Sequence, residues 1–253
     1  MDRALRDLQS AVGARRGPGP DPDAAIPHAG TAVLVRDGID GPEVLMMRRP
    51  EHGSFAGAWV FPGGRVEDVD VVEGADPVDD ARRAAARETR EEVGLSVDPG
   101  LLVPISRWDP PAGIPKRIRT WFYLGLADRG DLTLSAAEVA LTLWVRPEDA
   151  LSRHAVGELT LYPPTWVTLH GLMGSASGAA MVQAARAHGV RLFASTVRRS
   201  DRGTVFVWQP DVAHDPAVPL DAPGARHRLD AGALPWQYVS SAVPGMPVAG
   251  AAG

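Results

Sequence analysis

The most informative stretch of the chain reads Arg-Glu-Thr-Arg-Glu-Glu-Val-Gly-Leu at residues 87–95, and Phe-Pro-Gly-Gly stands upstream at residues 61–64. Glu88, Glu91 and Glu92 are spaced i, i+3 and i+4, which places all three on one face of a helix. Carboxylates this close repel one another unless a cation lies between them, and hard divalent ions bound through oxygen suit that role. The two glycines upstream leave bare backbone that can approach a metal ion or a phosphate.

A solvated helix face is the ordinary alternative for this stretch. Arg87 and Glu91 form a common i, i+4 ion pair, and helices rich in Arg and Glu are frequent on protein surfaces. The glycine after the helix and the Phe-Pro-Gly-Gly turn before it favour a functional site over that alternative.

At these residues the chain resembles the Nudix hydrolase family, whose box is written G-x5-E-x7-R-E-U-x-E-E-x-G-U, where U is apolar. Gly64 and Arg87 are 23 positions apart where the family pattern has 14, which leaves an insert of nine residues. Counting from either end puts the first box glutamate at Asp70 or at Asp79, and both alternatives stay open. The matching positions are Gly64, Arg87, Glu88, Glu91, Glu92, Gly94 and Leu95, with Thr89 departing at an apolar position.

The resemblance implies a pyrophosphate-cleaving enzyme that uses Mg²⁺ or Mn²⁺. The metal ligands would be Glu91 and Glu92, with Glu88 completing the site and the Gly63 carbonyl adding an oxygen. Glu88 or Glu138 would act as the general base. Arg87 would pair with a box glutamate and fix its rotamer.

One branch of the family is closer than the others. Arg48 and Gly57 match two positions of the motif that precedes the box in coenzyme A diphosphatases, and peroxisomal-type acyl-coenzyme A members also carry a long insert. This likeness implies a substrate with a 3′-phosphorylated ADP moiety. Arginine suits bidentate phosphate contacts. The candidate substrate-binding residues are Arg48, Gly64, Arg107, Arg117 and Arg119, although ordinary surface arginines on strands are an alternative for the last three.

The composition bounds the class of protein. The chain has 253 residues, is 45% hydrophobic, carries a net charge of −5 and contains no cysteine. Disulfides and thiolate metal sites are therefore excluded, and the acidic balance argues against a broad nucleic-acid surface. No apolar run approaches the length of a membrane span and the first turns do not resemble a secretory signal, so a cytoplasmic protein is expected.

The pattern of strands and helices predicts an α/β fold, a three-layer α/β/α sandwich with a mixed sheet. A hairpin is expected over residues 31–48, strands over 101–108 and 118–127, and a helix from Asp76 to about residue 93 that ends at Gly94. Residues 65–75 are expected to be a surface loop and residues 211–235 to be irregular. The expected organisation is a helix and linker over 1–29, the hydrolase domain over 30–175, and a C-terminal extension over 176–253 with a disordered tail.

Other functions stay open. The domain could be a non-catalytic nucleotide-sensing module, although such members usually lose box glutamates and all three are present here. An RNA-end hydrolase would need a basic surface that the composition does not supply. The expected partner is a small nucleotide, and a homodimer is compatible with the sequence.

Overall fold

The computed structural model describes residues 26–52, 55–111, 117–127 and 130–241. Within these residues eight strands form one mixed sheet: β1 (His28–Gly38), β2 (Gly41–Arg48), β3 (Trp59–Val60), β4 (Gly63–Arg65), β5 (Val103–Asp109), β6 (Arg119–Leu126), β7 (Leu141–Val145) and β8 (Arg191–Ala194). The main path runs β3-β2-β1-β6-β5-β8, with β4 added to β1 and β7 to β2. The pairs β1–β6 and β5–β8 are parallel and the others are antiparallel.

Four helices cover the two faces of this sheet: α1 (Pro77–Val93), α2 (Pro147–Ala155), α3 (Pro163–Leu172) and α4 (Gly178–His188). Side chains alternate between the faces along β1 and β2. Leu34 and Met47 pack towards α1, whereas Val35 and Met46 pack into the core on the other face with α3 and α4. The three-layer α/β/α sandwich predicted from the sequence is therefore confirmed. No helix among the described residues is long and apolar enough to cross a membrane.

The helix that carries the box begins and ends as its sequence predicts. Pro77 is its first residue, Asp76 stands at the N-cap, and Gly94 takes the left-handed conformation (φ 78°) that ends it. The small residues Ala81 and Ala85 let α1 lie directly on β1. A Cβ atom at Gly30 would come within 1.7 Å of the Ala81 carbonyl oxygen, so only glycine permits this approach.

A second, four-stranded sheet follows α4 and β8. Its strands are β9 (Thr196–Ser200), β10 (Gly203–Val207), β11 (His227–Asp230) and β12 (Gln237–Ser240), in the order β12-β11-β10-β9. Phe206 and Leu229 from this sheet, together with Trp208 just after β10, pack into the core on the α3 face of the main sheet.

Three expectations about local structure need correction. Residues 65–75 are not a plain surface loop, because a 3₁₀ turn (Asp68–Asp70) buries Asp70 against α1. Residues 211–235 contain a 3₁₀ turn (Val212–His214) as well as β11, whose His-Arg-Leu-Asp sequence is too polar to predict a strand. β8 and β12 were also not expected. The predicted N-terminal helix and the predicted disordered tail of the C-terminal extension lie outside the described residues.

Candidate active site

The box glutamates lie on the C-terminal half of α1, next to β4. The side chain of Glu88 is 15% exposed and that of Glu91 is 48% exposed. Glu92 is almost fully buried, with 3% of its surface exposed. The three glutamates on this face of α1 therefore differ in solvent exposure, from the buried carboxylate of Glu92 to that of Glu91, which reaches solvent.

Glu92 is held by the turn before the box. The amide N–H of Gly63 donates a hydrogen bond to Glu92 Oε2 at 2.8 Å. Burial raises the pKa of Glu92 to about 8, and the negative charges of Glu88 and Glu138 add to the rise, while the Gly63 amide and Arg49 oppose it. Sequence reasoning assigned the Gly63 carbonyl to the site, whereas the contact the structure shows is made by the amide; the carbonyl's role stays a prediction.

Gly64 lies directly against Glu88. A Cβ atom at residue 64 would be 2.2 Å from Glu88 Oε1 and 2.3 Å from its Cδ, closer than any real side chain allows. Burial raises the pKa of Glu88 above its usual range, against the opposing effect of Arg87. Glycine at this position thus leaves the space that the Glu88 carboxylate occupies.

Arg87 joins the insert to the box. Its Nη2 lies 2.9 Å from Asp70 Oδ2 and 3.0 Å from the Arg65 carbonyl oxygen, and its Nη1 lies 3.0 Å from both Glu88 Oε1 and Glu91 Oε2. The hydrogen bonds to Asp70 raise the pKa of Arg87 above its usual range. The guanidinium therefore stays charged and fixes two box carboxylates.

Asp70 and Asp79, the two candidates for the first box acid, differ in burial and in ion-pair partner. The Asp70 side chain is 4% exposed and holds Arg87, and its backbone carbonyl accepts a hydrogen bond from Arg83 Nε at 2.7 Å. The Asp79 side chain is 41% exposed and pairs with Arg82 one turn along the helix. Asp70 takes the position against Arg87, because the insert folds back along α1.

Two residues outside the box face the same carboxylates. Glu138 is exposed in a turn at residues 136–138 and lies close enough to contribute to the raised pKa of both Glu88 and Glu92. Arg49 lowers the pKa of Glu92 from the other side, and its buried Nε has no hydrogen-bond partner among the described residues. Sequence reasoning selected Glu138 but missed Arg49.

Arg48, which the sequence suggested instead of Arg49, lies on the other face of β2. It forms an ion pair with Glu51 and lines a cavity of about 260 Å³ together with Gly57 and Trp59. The alternation along β2 was the signal that could have separated the two arginines. Met47 faces α1, so Arg49, two residues on, shares that face.

The other predicted arginines lie elsewhere. Arg107 and Arg119 both pair with Asp109, and Arg117 donates to the Pro110 carbonyl oxygen at 3.3 Å. Arg119 is the register partner of His28, whose ring hydrogen-bonds to the backbone of Pro77 at the start of α1, and a helix rises about 21 Å between residues 78 and 92. The structure therefore does not bring these three arginines to the box glutamates, and their part in substrate binding stays a prediction.

A family model for the NUDIX domain matches residues 26–163. The chain belongs to the Nudix family. The CTP pyrophosphohydrolase of Escherichia coli strain K12 is 32% identical over 120 residues, which are 47% of this chain and 76% of that protein. The crystal structure of a Nudix hydrolase from Alicyclobacillus acidocaldarius has a TM-score of 0.57 at 26% identity, covering 64% of this chain and 97% of the other. The predicted Nudix-type hydrolase of acid anhydrides is thus confirmed.

The donor chemistry of this Nudix site fits a divalent cation. Glu88, Glu91 and Glu92 offer only oxygen, which Mg²⁺ and Mn²⁺ prefer, and the raised pKa values of Glu88 and Glu92 reflect carboxylates buried without enough positive charge. Among the described residues, however, no group of three or more acidic or histidine side chains is already arranged to hold a metal ion. Arg87 occupies one oxygen each of Glu88 and Glu91.

Proposed function

We propose that this Nudix chain is a metal-dependent hydrolase that cleaves the pyrophosphate bond of a nucleoside diphosphate linked to another moiety. The single observation that carries the proposal is Glu92, a buried carboxylate fixed by the Gly63 amide and flanked by two further acidic groups. A buried carboxylate without a fully matched charge is costly to a fold, so its presence points to a cationic ligand.

The proposed roles of the site residues are to hold the cation and to bind the pyrophosphate. Glu88, Glu91 and Glu92 would hold Mg²⁺ or Mn²⁺, with the Gly63 carbonyl as a further oxygen. The cation would supply positive charge that neutralises the pyrophosphate and eases the deprotonation of water. Arg87 keeps Glu88 and Glu91 in place, because one guanidinium nitrogen contacts both. Arg49 adds a positive charge next to Glu92, and its Nε–H, which has no hydrogen-bond partner among the described residues, can donate to a phosphate oxygen.

The attacking water needs a base at the same place. Glu88 is suited to this role because its raised pKa makes it a stronger proton acceptor than a surface carboxylate. Glu138 is the second candidate, since it faces the same carboxylates from a solvent-exposed turn.

Within this class we propose coenzyme A or an acyl-coenzyme A as the substrate. Support comes from Arg48 and Gly57, the two positions that resemble the coenzyme A motif, which line one cavity of about 260 Å³. A nucleoside triphosphate is the second candidate, because a relative that is 32% identical is a CTP pyrophosphohydrolase.

A product assay with purified protein and Mg²⁺ or Mn²⁺ separates these candidates. The panel holds coenzyme A, acetyl-coenzyme A, ADP-ribose, NADH, a diadenosine polyphosphate and CTP. Release of 3′,5′-ADP from a coenzyme A species supports the proposed branch. Release of CMP and pyrophosphate from CTP keeps the chemistry and replaces the substrate. No turnover of any compound, together with retained nucleotide binding, would contradict the enzyme and favour a sensing module.

A further inference from the structure

A second polar cluster lies beside the N-terminal end of α1, on the α1 face of β1, β6 and β5. Strand pairing places His28 opposite Arg119, and Trp121 opposite Arg107. The Arg107 guanidinium carbon lies 5.6 Å from the centre of the Trp121 ring, and Asp109 pairs with both arginines. We call His28, Arg107, Asp109, Arg119 and Trp121 the strand-edge cluster.

The charges of this cluster do not balance. Two arginines share the single carboxylate of Asp109, and the one hydrogen bond of Arg117 to a described residue goes to the Pro110 carbonyl oxygen. Burial lowers the pKa of His28 and the positive charge of Arg119 lowers it further, while a hydrogen bond with the Pro77 backbone and the negative charge of Asp109 oppose this shift. The cluster thus carries excess positive charge, although the Arg107 and Arg119 side chains are each only about one quarter exposed.

Several buried nitrogen atoms of the cluster also lack partners. Arg107 Nε, Trp121 Nε1 and His28 Nδ1 are inaccessible to solvent and make no hydrogen bond within the described part of the chain. The first two can only donate. Most buried polar groups in folded proteins are hydrogen-bonded, so donors left over together in one place indicate an absent acceptor.

The same face of the sheet offers a closely matched arrangement that is complete. Arg36 lies over the Trp144 ring at 4.2 Å, and its Nε and Nη2 both lie 2.8 Å from Glu43 Oε2. There one arginine meets one carboxylate, and neither Arg36 nor Trp144 has a buried nitrogen without a partner. An arginine stacked on tryptophan is therefore not by itself a site, and the difference lies in the excess charge and unmatched donors.

We propose that the strand-edge cluster binds a phosphate group, at a site separate from the pyrophosphate that the box cleaves. Phosphate oxygens accept several hydrogen bonds at once and match the geometry of an arginine side chain. A bound phosphate would therefore balance the excess positive charge and accept hydrogen bonds from the unmatched donors. The phosphate could belong to a distant part of the substrate or to a separate small ligand, and both supply the same chemistry.

The test is to titrate the metal-free protein with inorganic phosphate and, separately, with 3′,5′-ADP. The NMR signal of the His28 ring reports binding. We expect a saturable shift of the ring signal, weakened about ten-fold or more in Arg119→Ala, because charge-assisted hydrogen bonds are lost. Arg36→Ala is the matched control and should bind as the wild type does. The experiment needs neither metal nor turnover, so its result is independent of the proposed function.

A variant that binds phosphate more tightly than the wild type would show that the weaker binding of Arg119→Ala is not caused by misfolding. Asp109→Asn removes the carboxylate that competes with the ligand, so phosphate should bind more tightly in this variant. If Arg119→Ala raises the KM for coenzyme A but not for dephospho-coenzyme A, the phosphate belongs to the substrate; unchanged KM values assign it to a separate ligand. No saturable shift with either probe, or equal binding in Arg119→Ala and the wild type, would overturn the proposal.

Discussion

The groups found at the two ends of α1 differ in charge and in how the fold brings them together. The C-terminal end holds Glu88, Glu91 and Glu92, brought together by helical spacing within five residues of sequence. The N-terminal end lies beside His28, Arg107 and Arg119, brought together only by the register of three strands. Helical spacing alone groups the three glutamates in the sequence. The sequence also suggested Arg107 and Arg119, but only the strand register shows that they lie together with His28.

Glu92→Gln tests the acidic end and should have the largest effect. Glutamine can still accept the Gly63 N–H but cannot supply the negative charge that a cation needs. Pyrophosphate hydrolysis should fall by about 100-fold or more, since losses of this size follow even from disturbing groups around a metal ligand. Steady-state kinetics measures the loss, and circular dichroism checks the fold; turnover like that of the wild type would contradict the assigned role.

Gly64→Ala should have the next largest effect. The added methyl group would enter the space of the Glu88 carboxylate, so Glu88 must move. A shift of about 1 Å in a catalytic group can cost roughly 100-fold in rate. Gly74→Ala in the insert is the control, because nothing lies within 4 Å of that Cβ position, although its φ of 79° adds some backbone strain. Equal kcat values for the two variants would contradict the role of Gly64 in leaving space for the Glu88 carboxylate.

Arg49→Ala and Arg48→Ala separate the two faces of β2. Arg49 lies on the side of Glu92, so its loss should raise the KM for the nucleotide roughly 10-fold, as expected for losing a hydrogen bond between charged groups. Arg48 lines the cavity with Gly57 and Trp59, so its loss should raise the KM for coenzyme A and leave the hydrolysis of CTP unchanged. A larger effect of Arg48→Ala than of Arg49→Ala on the hydrolysis of CTP would contradict this division.

Asp70→Asn and Asp79→Asn should differ in a smaller way. Asp70 holds Arg87, which in turn holds two box carboxylates, so its loss should lower kcat by about 10-fold. Asp79 forms an ion pair with Arg82 at the surface, and its loss should leave kcat unchanged. Kinetics of the two variants side by side decides the matter, and a larger effect at Asp79 would reverse the assignment of the first box acid.

The smallest effect expected is on stability. Burial raises the pKa of Glu92 to about 8, so between about pH 4.5 and pH 8 the metal-free folded protein holds a proton that the unfolded chain has lost. Stability from this group is therefore present at low pH and lost as the pH rises towards 8. The Tm of Glu92→Gln should overtake that of the wild type by a few degrees across this range. Parallel Tm curves for the two proteins would contradict the raised pKa.

Much of the acidic site could be predicted from the sequence, because helical spacing, the proline at residue 77 and the glycine at residue 94 are local signals. The sequence could not choose between Asp70 and Asp79, since that choice depends on how the insert folds back onto Arg87. The sequence favoured Arg48 over Arg49 because Arg48 matches the motif of coenzyme A diphosphatases. The alternation of side chains along β2 would have pointed to Arg49 instead. β11 was missed because polar residues occupy three of its four positions.

The most direct test of the central claim is a Mn²⁺ titration followed by electron paramagnetic resonance, which counts free Mn²⁺ without requiring a substrate. The wild type should bind Mn²⁺ saturably, Glu92→Gln should lose this binding, and Arg107→Ala at the opposite end of α1 should retain it. Equal binding in Glu92→Gln and the wild type, or no saturable binding in the wild type, would contradict a metal site built on the box glutamates.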